Sequence, residues 1–402
     1  MGAIQDAVQI WQKLESDKLH VLMHRCTRVR NRNVTCRKCV DACPVECITV
    51  KDNELAVDPF ACIGCGTCAT ACPVGALVPL KPADGQLEDL VVNSLDLNDG
   101  TAVIACREMA DKAQGRIDPG KVVRVECLSR VDESLLVGLA GLDARRVMLV
   151  CADCDACQLS RAGQVALDVA LTARDILTLW NSPMALEVHQ RFPSFVRLSA
   201  EHDEARRDLM RDARDAAFNV AAAAADYEIG NALHQEEGRE FSYAMLRSAN
   251  GRNLPQFMPG RRMRLHEALD YLGEPEDDIL TSRLWGHAEL DPEACNGCGM
   301  CEMFCPTGAI RLAYDDEEDG SAPIGRRSRS HVQALDVFPR QCLQCRTCED
   351  ICPKRAIRID SQVFAGDVAS GVGERLLIGK AYRDAQAACG EHDEPAAGEV
   401  RA

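Results

Sequence analysis

The chain has 402 residues and a formal charge of −16 at pH 7, with 46 basic and 62 acidic side chains. This length allows about two to four domains with hydrophobic cores of their own. The acidic balance argues against a nucleic-acid-binding protein, which needs a basic face for phosphate. No apolar run approaches the about 18 residues of a membrane-spanning helix. Because no export signal is recognisable either, we expect a cytoplasmic protein and leave open its attachment to a membrane-bound partner.

The first predicted element is a helix at the N-terminus. Ile4, Val8 and Trp11 share one face at helical spacing, so we predict an N-terminal helix within residues 1–25. Further along, the segment ITVKDNELAVD alternates apolar and polar residues on both sides of a turn. This pattern predicts a β-hairpin.

The most informative feature of the chain is its 23 cysteines, most of which stand in short-spaced runs. C-x2-C spacings without an export signal favour metal binding over disulfides. Three runs have the full spacing C-x2-C-x2-C-x3-C-P, and they begin at Cys62, Cys295 and Cys342. Such a run wraps three corners of a [4Fe–4S] cluster, and its fourth cysteine binds the other cluster of a pair. Structural zinc, the alternative, rarely uses three consecutive short intervals.

A fourth run lacks one cysteine. Cys36, Cys39 and Cys43 have the expected spacing, but Asn33 stands where the first cysteine of the run belongs. Cys26 lies ten residues before Cys36 and has no other assigned role. We predict that Cys26 supplies the missing ligand.

Exchange of the fourth cysteines within each pair of runs defines four predicted sites. Site 1 is Cys26, Cys36, Cys39 and Cys72; site 2 is Cys43, Cys62, Cys65 and Cys68; site 3 is Cys295, Cys298, Cys301 and Cys352; site 4 is Cys305, Cys342, Cys345 and Cys348. Cys47 in CPVECI occupies the position of a small residue in CPVGAL and CPTGAI. We therefore expect a packed free thiol there rather than a ligand.

The runs and their surroundings resemble bacterial two-cluster ferredoxin domains. The resemblance implies two ferredoxin-like α+β modules, at residues 26–85 and 286–362, each with two [4Fe–4S] clusters. In the second module, IRLAY and VQALDV are the strands equivalent to the hairpin, separated by the polar insertion DDEEDGSAPIGRRSRS. We interpret the insertion as a solvated loop, with a docking loop as the alternative.

Charged residues differ between the two runs of the second module. Arg340, Arg346, Lys354 and Arg355 flank the last run, whereas Glu293, Glu302 and the acidic stretch 315–318 flank the third. Positive charge favours the reduced, more negative form of a cluster, and charge is one determinant of its potential. We therefore predict that the four clusters have unequal potentials.

Between the modules, residues 98–182 predict a small α/β domain with a parallel sheet. TAVIAC, KVVRVEC and RVMLVC are expected strands, separated by helical segments such as DESLLVGLAGLDA. The carboxyl ends of parallel strands meet at one edge of a sheet, and five cysteines stand at or after those ends. We predict a further metal centre here, held by four of the five cysteines. A set of redox-active thiols is the alternative. The five are Cys106, Cys127, Cys151, Cys154 and Cys157.

This central region resembles the delta subunit of methyl-viologen-reducing hydrogenase, on VECLSRVDESLLVG and VMLVCADCDAC. The resemblance implies a [2Fe–2S] cluster that exchanges electrons with a flavin-containing partner. The chain departs from that family because only Cys106 follows the first strand and because the C-x2-C-x2-C spacing differs. A [2Fe–2S] cluster, a [4Fe–4S] cluster and zinc therefore all stay open for the central centre.

Residues 200–250 are rich in Ala, Arg, Asp and Glu and predict a helix, and the segment LPQFMPGRRMRLHEALDYLG predicts a turn and a second short helix. We therefore predict a helical connector at residues 183–285 and a C-terminal tail at residues 363–402. No convincing dinucleotide fingerprint, P-loop or haem motif occurs. We expect the histidines of the middle region to be surface or core residues: His189, His202, His234 and His266.

Together these patterns predict an iron–sulfur electron-transfer subunit of a multi-subunit oxidoreductase. Four [4Fe–4S] clusters and the central centre would relay electrons. The expected partners are a flavoprotein, a hydrogenase-like subunit or a molybdenum-enzyme subunit. Two alternatives stay open: a redox enzyme that acts on a thiol, disulfide or sulfur substrate at the central cysteines, and a structural scaffold with inert clusters.

Overall fold

A computed structural model describes four stretches of the chain: residues 18–198, 254–276, 278–314 and 332–390. The helix predicted at 200–250, the insertion at 315–330, His202 and His234 lie outside the described residues. Within the four stretches, no helix has the length and apolar character needed to cross a membrane.

The first ferredoxin-like module contains the predicted hairpin. Its strands are β1 (Leu19–Val21), β2 (Ile48–Lys51), β3 (Glu54–Val57) and β4 (Leu77–Pro79), and its short helices are α1 (Thr27–Arg30), α2 (Lys38–Ala42) and α3 (Thr67–Ala71). Strands β2 and β3 pair antiparallel, which confirms the hairpin. Its turn residues Asp52 and Asn53 have φ angles of 53° and 61°. Two left-handed residues give the turn a twist that matches the flanking strands.

The N-terminal helix predicted through residue 25 is wrong for its last residues. Leu19–Val21 form β1, which pairs antiparallel with β4, and Met23–Arg25 form a single 3-10 turn. Leu19 is buried in the module core, so pairing with β4 determines the local structure. The residues whose helical spacing prompted the prediction lie before residue 18, outside the described stretches.

The central domain is built on a four-stranded parallel sheet with the strand order β6-β5-β7-β8. Its strands are β5 (Thr101–Cys106), β6 (Val123–Val125), β7 (Arg146–Val150) and β8 (Ala185–His189), and its helices are α4 (Asp84–Leu97), α5 (Arg107–Lys112), α6 (Glu133–Ala140) and α7 (Ser160–Leu179). Val103, Ile104 and Val147 are fully buried. Burial on both faces is typical of parallel sheets covered by helices.

The helical connector predicted from residue 183 begins too early. Ala185–His189 form β8, which pairs in parallel with β7. The chain then stays with this domain, because the Asp118 amide donates to the Val196 carbonyl at 2.8 Å. The strand has five residues, of which only Leu186 is buried. Because the strand is short and lies at the edge of the sheet, its sequence gives little indication of either a helix or a strand.

The described part of the connector carries α8 (Gly260–Leu272), which packs against α6 of the central domain. Leu265 and Leu269 of this helix join the core that contains Leu136 and Trp285. The helix begins after Pro259 and ends at Gly273, whose φ angle of 93° favours glycine. The predicted short helix after the turn in LPQFMPGRR is therefore confirmed.

The second module has the strands β9 (Ile279–Thr281), β10 (His287–Leu290), β11 (Ile310–Tyr314), β12 (Val332–Val337), β13 (Ile357–Asp360), β14 (Gln362–Phe364) and β15 (Glu374–Leu377), and the helices α9 (Met300–Phe304), α10 (Thr347–Ile351), α11 (Ala365–Ser370) and α12 (Gly379–Gly390). IRLAY and VQALDV pair antiparallel as β11 and β12, as predicted.

The prediction that residues from 363 form a tail is wrong for its described part. Strand β15 pairs antiparallel with β12 and completes a three-stranded sheet. Helix α11 contributes Ala365 and Val368 to the core shared with the central domain. These residues follow the last cysteine run, and their packing depends on contacts with elements far away in sequence, which local patterns do not reveal.

Candidate metal centres

The turn after each Cys-Pro pair has the same left-handed residue. The third residue after the cysteine has a φ angle near 50° to 70° in every run: Glu46 at 53°, Gly75 at 59°, Gly308 at 72° and Arg355 at 52°. Glycine has no steric cost there, and the other two residues adopt the conformation at some cost. The four runs therefore fold as copies of one loop.

This turn directs a backbone amide at the preceding cysteine in three of the four runs. The donor lies four residues after the cysteine, and the N–Sγ distance is 3.4 Å at Cys72, 3.3 Å at Cys305 and 3.3 Å at Cys352. The donors are Ala76, Ala309 and Ala356. Amide hydrogen bonds to sulfur stabilise a thiolate ligand and tune a bound cluster.

The structure brings the four cysteines of site 1 together. Burial is the main cause that raises the pKa of Cys39, and the neighbouring thiols of Cys72, Cys26 and Cys36 raise it further. Burial also raises the pKa of Cys72 to about 11, and Cys26 and Cys36 add to the shift. Cys26 thus lies beside the three cysteines with which the sequence analysis grouped it. It takes the place of the cysteine that a regular run would have at position 33, where this chain has Asn33.

A packed loop returns the chain from Cys26 to Cys36. Cys26 lies between the 3-10 turn and α1, and the Asn33 amide then donates to Asn31 Oδ1 at 2.9 Å in an Asx turn. Val29 and Val34 are buried beneath the loop. Buried apolar side chains thus anchor the loop that follows Cys26.

Site 2 surrounds a small cavity. The Cys43, Cys62, Cys65 and Cys68 thiols line it together with Leu19, Ile48 and Ile63. Burial raises the pKa of Cys68 well above its ordinary value, and the other three thiols of the site contribute. The four thiols face a common space with apolar walls, which suits a cluster shielded from water.

Cys47 lines the same cavity as a fifth thiol. Its Sγ lies 3.6 Å from that of Cys43. Hydrogen bonding to Cys62 raises the pKa of Cys47 most, with burial and a hydrogen bond to Cys43 behind it. The expected packed thiol is buried, but it contacts two site 2 cysteines rather than apolar core alone. The only signal in the sequence was the cysteine in place of the alanine found in the other three runs.

In the second module, the structure places the cysteines predicted for site 3 close together, and likewise those predicted for site 4. All four site 3 thiols line one cavity with apolar residues such as Leu312 and Leu335. Burial raises the pKa of Cys301, and Cys295, Cys298 and Cys352 raise it further. At site 4, burial followed by the thiols of Cys345, Cys342, Cys301 and Cys305 raises the pKa of Cys348.

Four of the five central cysteines meet at the carboxyl edge of the parallel sheet. Burial raises the pKa of Cys154 to about 12, and the thiols of Cys151, Cys127 and Cys106 contribute. Cys157 follows at the turn before α7, where its Sγ accepts a hydrogen bond from the Leu159 amide at 3.4 Å. The four-thiol group Cys106, Cys127, Cys151 and Cys154 is called the central site below.

Two buried hydroxyls connect site 2 with the central site. Thr67 Oγ1 lies 3.3 Å from Cys65 Sγ and 2.6 Å from Ser129 Oγ. Ser129 in turn hydrogen-bonds to Cys127 and lowers the pKa of that thiol, although burial raises it overall. Thr67 and Ser129 are fully buried, so the contact excludes water.

The thiols are available as ligands. The 22 cysteines whose side chains the structure describes are free of disulfides. In the same stretches, no group of three or more Cys, His, Asp or Glu side chains is arranged for a single metal ion. The inorganic core of a [4Fe–4S] cluster is larger than one ion and keeps its four ligands farther apart. The lined cavities and the amide–sulfur hydrogen bonds fit such a core.

Comparison with known proteins identifies the two ends of the chain. The family described as 4Fe-4S dicluster domain matches residues 34–76 and 294–360. Two segments of the chain, one near each end, are thus similar to 4Fe–4S dicluster domains. Domains of this kind transfer electrons through iron–sulfur clusters. The family match leaves out the central domain, so the likeness of that domain to the hydrogenase delta subunit stays a prediction.

Ferredoxins are among the similar proteins. A "Ferredoxin 7Fe" of Hydrogenibacillus schlegelii is 46% identical over 39 residues, which are 10% of this chain and 50% of the relative. A ferredoxin of Rickettsia felis is 39% identical over 56 residues, 13% of this chain and 51% of the relative. "Ferredoxin-1" of Caulobacter vibrioides is 46% identical over 50 residues, 12% and 44%. The chain thus spans about half the length of these relatives. No solved structure matches the chain.

Proposed function

We propose that this chain relays electrons through five metal centres in series, as a subunit of a larger oxidoreductase. Sites 1 to 4 hold [4Fe–4S] clusters and the central site holds a further centre. The order in space is site 3, site 4, site 1, site 2 and the central site. The observation that carries the proposal is that each of these thiol groups adjoins the next.

Within each module, the neighbouring sites approach each other through one cysteine each. Besides burial and the thiols of its own site, Cys301 of site 3 raises the pKa of Cys348 in site 4. In the same way, Cys39 of site 1 raises the pKa of Cys68 in site 2. This pairing is what exchange of the fourth cysteines produces.

Two further contacts join the modules and the central domain. Lys38 lies beside both Cys36 of site 1 and Cys345 of site 4, whose thiols oppose the lowering of its pKa by burial. Cys65 of site 2 raises the pKa of Cys127 in the central site, after burial. The first module therefore stands in the middle of the proposed path.

Bound clusters supply one-electron carriers, and the chain supplies the ligands and their environment. Cysteine thiolates hold the irons, and backbone amides stabilise the sulfur ligands. Apolar walls keep water away from the sites. Redox relay through such centres involves one electron at a time, with no bond made or broken between the donor and the acceptor.

The two ends of the series offer places for redox partners. Next to Cys352 of site 3, a groove is lined by charged side chains that include Arg346, Asp350 and Arg358. At the other end, Cys151 and Cys154 are half-buried. A flavoprotein partner at the central site, and a hydrogenase-like or molybdenum-enzyme subunit at the other end, would fit this arrangement.

Metal analysis of anaerobically purified protein tests the proposal. Four clusters require about 16 iron atoms per chain, and a central cluster adds about two to four. EPR should show reduced clusters after treatment with a one-electron donor. Iron well below about 16 atoms per chain would contradict the four [4Fe–4S] clusters. Iron at about 16 atoms with one equivalent of zinc would contradict an iron centre in the central site.

A second candidate function is a redox enzyme at the central cysteines. One observation favours it: Cys157 is a fifth thiol next to the four thiols of the central site. Cys157, Cys106, Cys151 and Cys154 are all half-buried. Turnover of a disulfide or sulfur substrate by the isolated protein, abolished in Cys157→Ala, would support it. A Cys157→Ala protein with full metal content and unchanged electron transfer supports the relay.

A further inference from the structure

The two modules are joined by a polar contact beside sites 1 and 4. The backbone amide of Thr35 donates to Asp350 Oδ2 at 2.8 Å, and its hydroxyl donates to the same oxygen at 3.0 Å. Lys38 Nζ donates to the Gln344 carbonyl at 3.2 Å. Leu343 and Cys345 of the second module pack into the core of the first. The loop of site 4 thus lies against the loop of site 1.

Arg30 reaches site 4 from the loop that returns the chain from Cys26. Its two terminal nitrogens both donate to the Pro255 carbonyl at 3.1 Å, and its guanidinium stacks over Phe257 at 5.6 Å. The Phe257 amide donates to the Pro306 carbonyl at 2.7 Å. This segment therefore fixes Arg30 next to the turn that contains Cys305.

Among the described residues, Arg30 and Lys38 have no carboxylate as an ion-pair partner. Within the described part of the chain, no ion pair involves either residue, and the buried Nε of Arg30 has no hydrogen-bond partner. Burial lowers the pKa of Arg30, and the thiolates of Cys305 and Cys345 oppose this shift. A buried cation needs a compensating negative charge. The anionic groups on hand are the cysteine thiolates.

We propose that Arg30 and Lys38 of the first module raise the reduction potential of the cluster in site 4, across the module junction. Positive charge stabilises the more negative, reduced form of a cluster. Lys38 lies beside sites 1 and 4, so it acts on both, whereas Arg30 acts mainly on site 4. This inference rests on the proposed function, which places clusters in both sites.

The sequence alone indicates other cations for site 4. Arg340 and Arg346 flank its run, but Arg340 donates to both oxygens of Asp270 at 2.6 and 2.7 Å. Its charge is thus already paired. Arg30 and Lys38, by contrast, come from a region about 300 residues away in sequence: Lys38 and Gln344, which share a hydrogen bond, are 306 residues apart.

An EPR-monitored redox titration of the full-length protein tests the inference. Arg30→Gln should shift the reduction equilibrium of the site 4 cluster at least tenfold toward the oxidised form, which is about 59 mV for one electron. Arg30→Lys keeps the charge and should restore most of the potential. Arg32→Gln is the matched control, because Arg32 is exposed in the same loop. The site 4 signal is the one lost from Cys305→Ala protein.

A second pair of variants keeps the test decisive if Arg30→Gln disturbs packing. Lys38→Gln should lower the potentials of two clusters, those of sites 1 and 4. Arg37→Gln should lower neither, because Arg37 is exposed and pairs with Asp41 at 3.2 Å. Unchanged potentials in Arg30→Gln and Lys38→Gln proteins with full iron overturn this inference alone. Iron well below about 16 in the unsubstituted protein overturns the proposed function instead.

Discussion

The two ferredoxin-like modules arrive at the same thiol arrangement by different routes. In the second module, both runs have regular spacing. In the first, Cys26 approaches site 1 through a loop anchored by Val29 and Val34. The position of a ligand thus depends on where the packed loop that carries it ends. A regular interval between cysteines is one of several ways to place a ligand. The irregular loop also gives the first module a feature that the second lacks, since it carries Arg30 to the neighbouring module.

The position of the modules differs as well. Both modules pack on the central domain, but among the described thiol groups it is site 2 of the first module that reaches the central site, through Thr67 and Ser129. In the proposed relay, the first module is consequently the link on which both neighbours depend. Substitutions in the first module should interrupt the series, and equivalent substitutions in the second should act only locally.

The largest expected effect comes from Cys26. Cys26→Ala removes the fourth ligand of site 1, so iron should fall by about four atoms per chain and one EPR signal should disappear. Cys47→Ala is the matched control, because it restores the alanine of the other runs and removes no predicted ligand. Full iron content in Cys26→Ala protein would mean that another group, such as Asn33 or water, completes site 1, and the comparison of the modules would fail.

The next largest expected effect is loss of the metal centre in the central site, which adjoins the first module. A Cβ added to Gly163 of α7 would lie 2.8 Å from the Cys154 Cβ. Gly163→Ala should therefore displace Cys154 and remove the central centre, with a loss of about two to four iron atoms. Gly138→Ala in α6 is the control, since its added Cβ would have no atom within 4 Å apart from its chain neighbours and the backbone of its own helix. A central centre that survives in Gly163→Ala protein would contradict the ligand role of Cys154.

A stability effect should distinguish the buried junction from the surface. Arg283 donates to Glu133 at 2.7 and 2.8 Å and to the Thr70 carbonyl of the first module. Glu133 is 2% exposed, so Arg283→Met leaves a buried charge unpaired and should cost about 3–5 kcal/mol of unfolding free energy. Anaerobic urea unfolding measures this. The surface pair of Arg375 and Asp336 supplies the control, and Arg375→Met should change stability little.

The smallest effect compares matched threonines in the two modules. Thr67 lies 3.3 Å from Cys65 Sγ, and Thr347 lies 3.4 Å from Cys345 Sγ. Replacing either by valine removes a hydrogen bond to sulfur and should lower the potential of its own cluster slightly. Only Thr67→Val also breaks the contact with Ser129, so it alone should weaken magnetic interaction with the central centre. If the magnetic interaction with the central centre is as strong in Thr67→Val protein as in Thr347→Val protein, the contact between Thr67 and Ser129 is not part of the path.

Much of the site follows from the sequence because iron–sulfur ligation is encoded in short intervals. The hairpin, the strands β5, β6 and β7, and the grouping of Cys26 with site 1 all rest on local patterns or on the exchange rule. The prediction missed β1 and β15, which depend on pairing with strands about 60 and about 40 residues away, as Leu19↔Pro79 and Leu377↔Ala334 illustrate. It also missed Arg30 and Lys38, because flanking charges in the sequence differ from neighbouring charges in the fold.

Continuity of the series can be tested by EPR of the fully reduced protein beside the Cys26→Ala variant. In the unsubstituted protein, spin–spin interaction should extend from the clusters of the second module to those of the first. Loss of the cluster in site 1 should leave the site 2 cluster interacting with the central centre alone, and an interacting pair from sites 3 and 4. A spectrum of the unsubstituted protein that equals the sum of two independent cluster pairs would contradict a path that crosses the module junction.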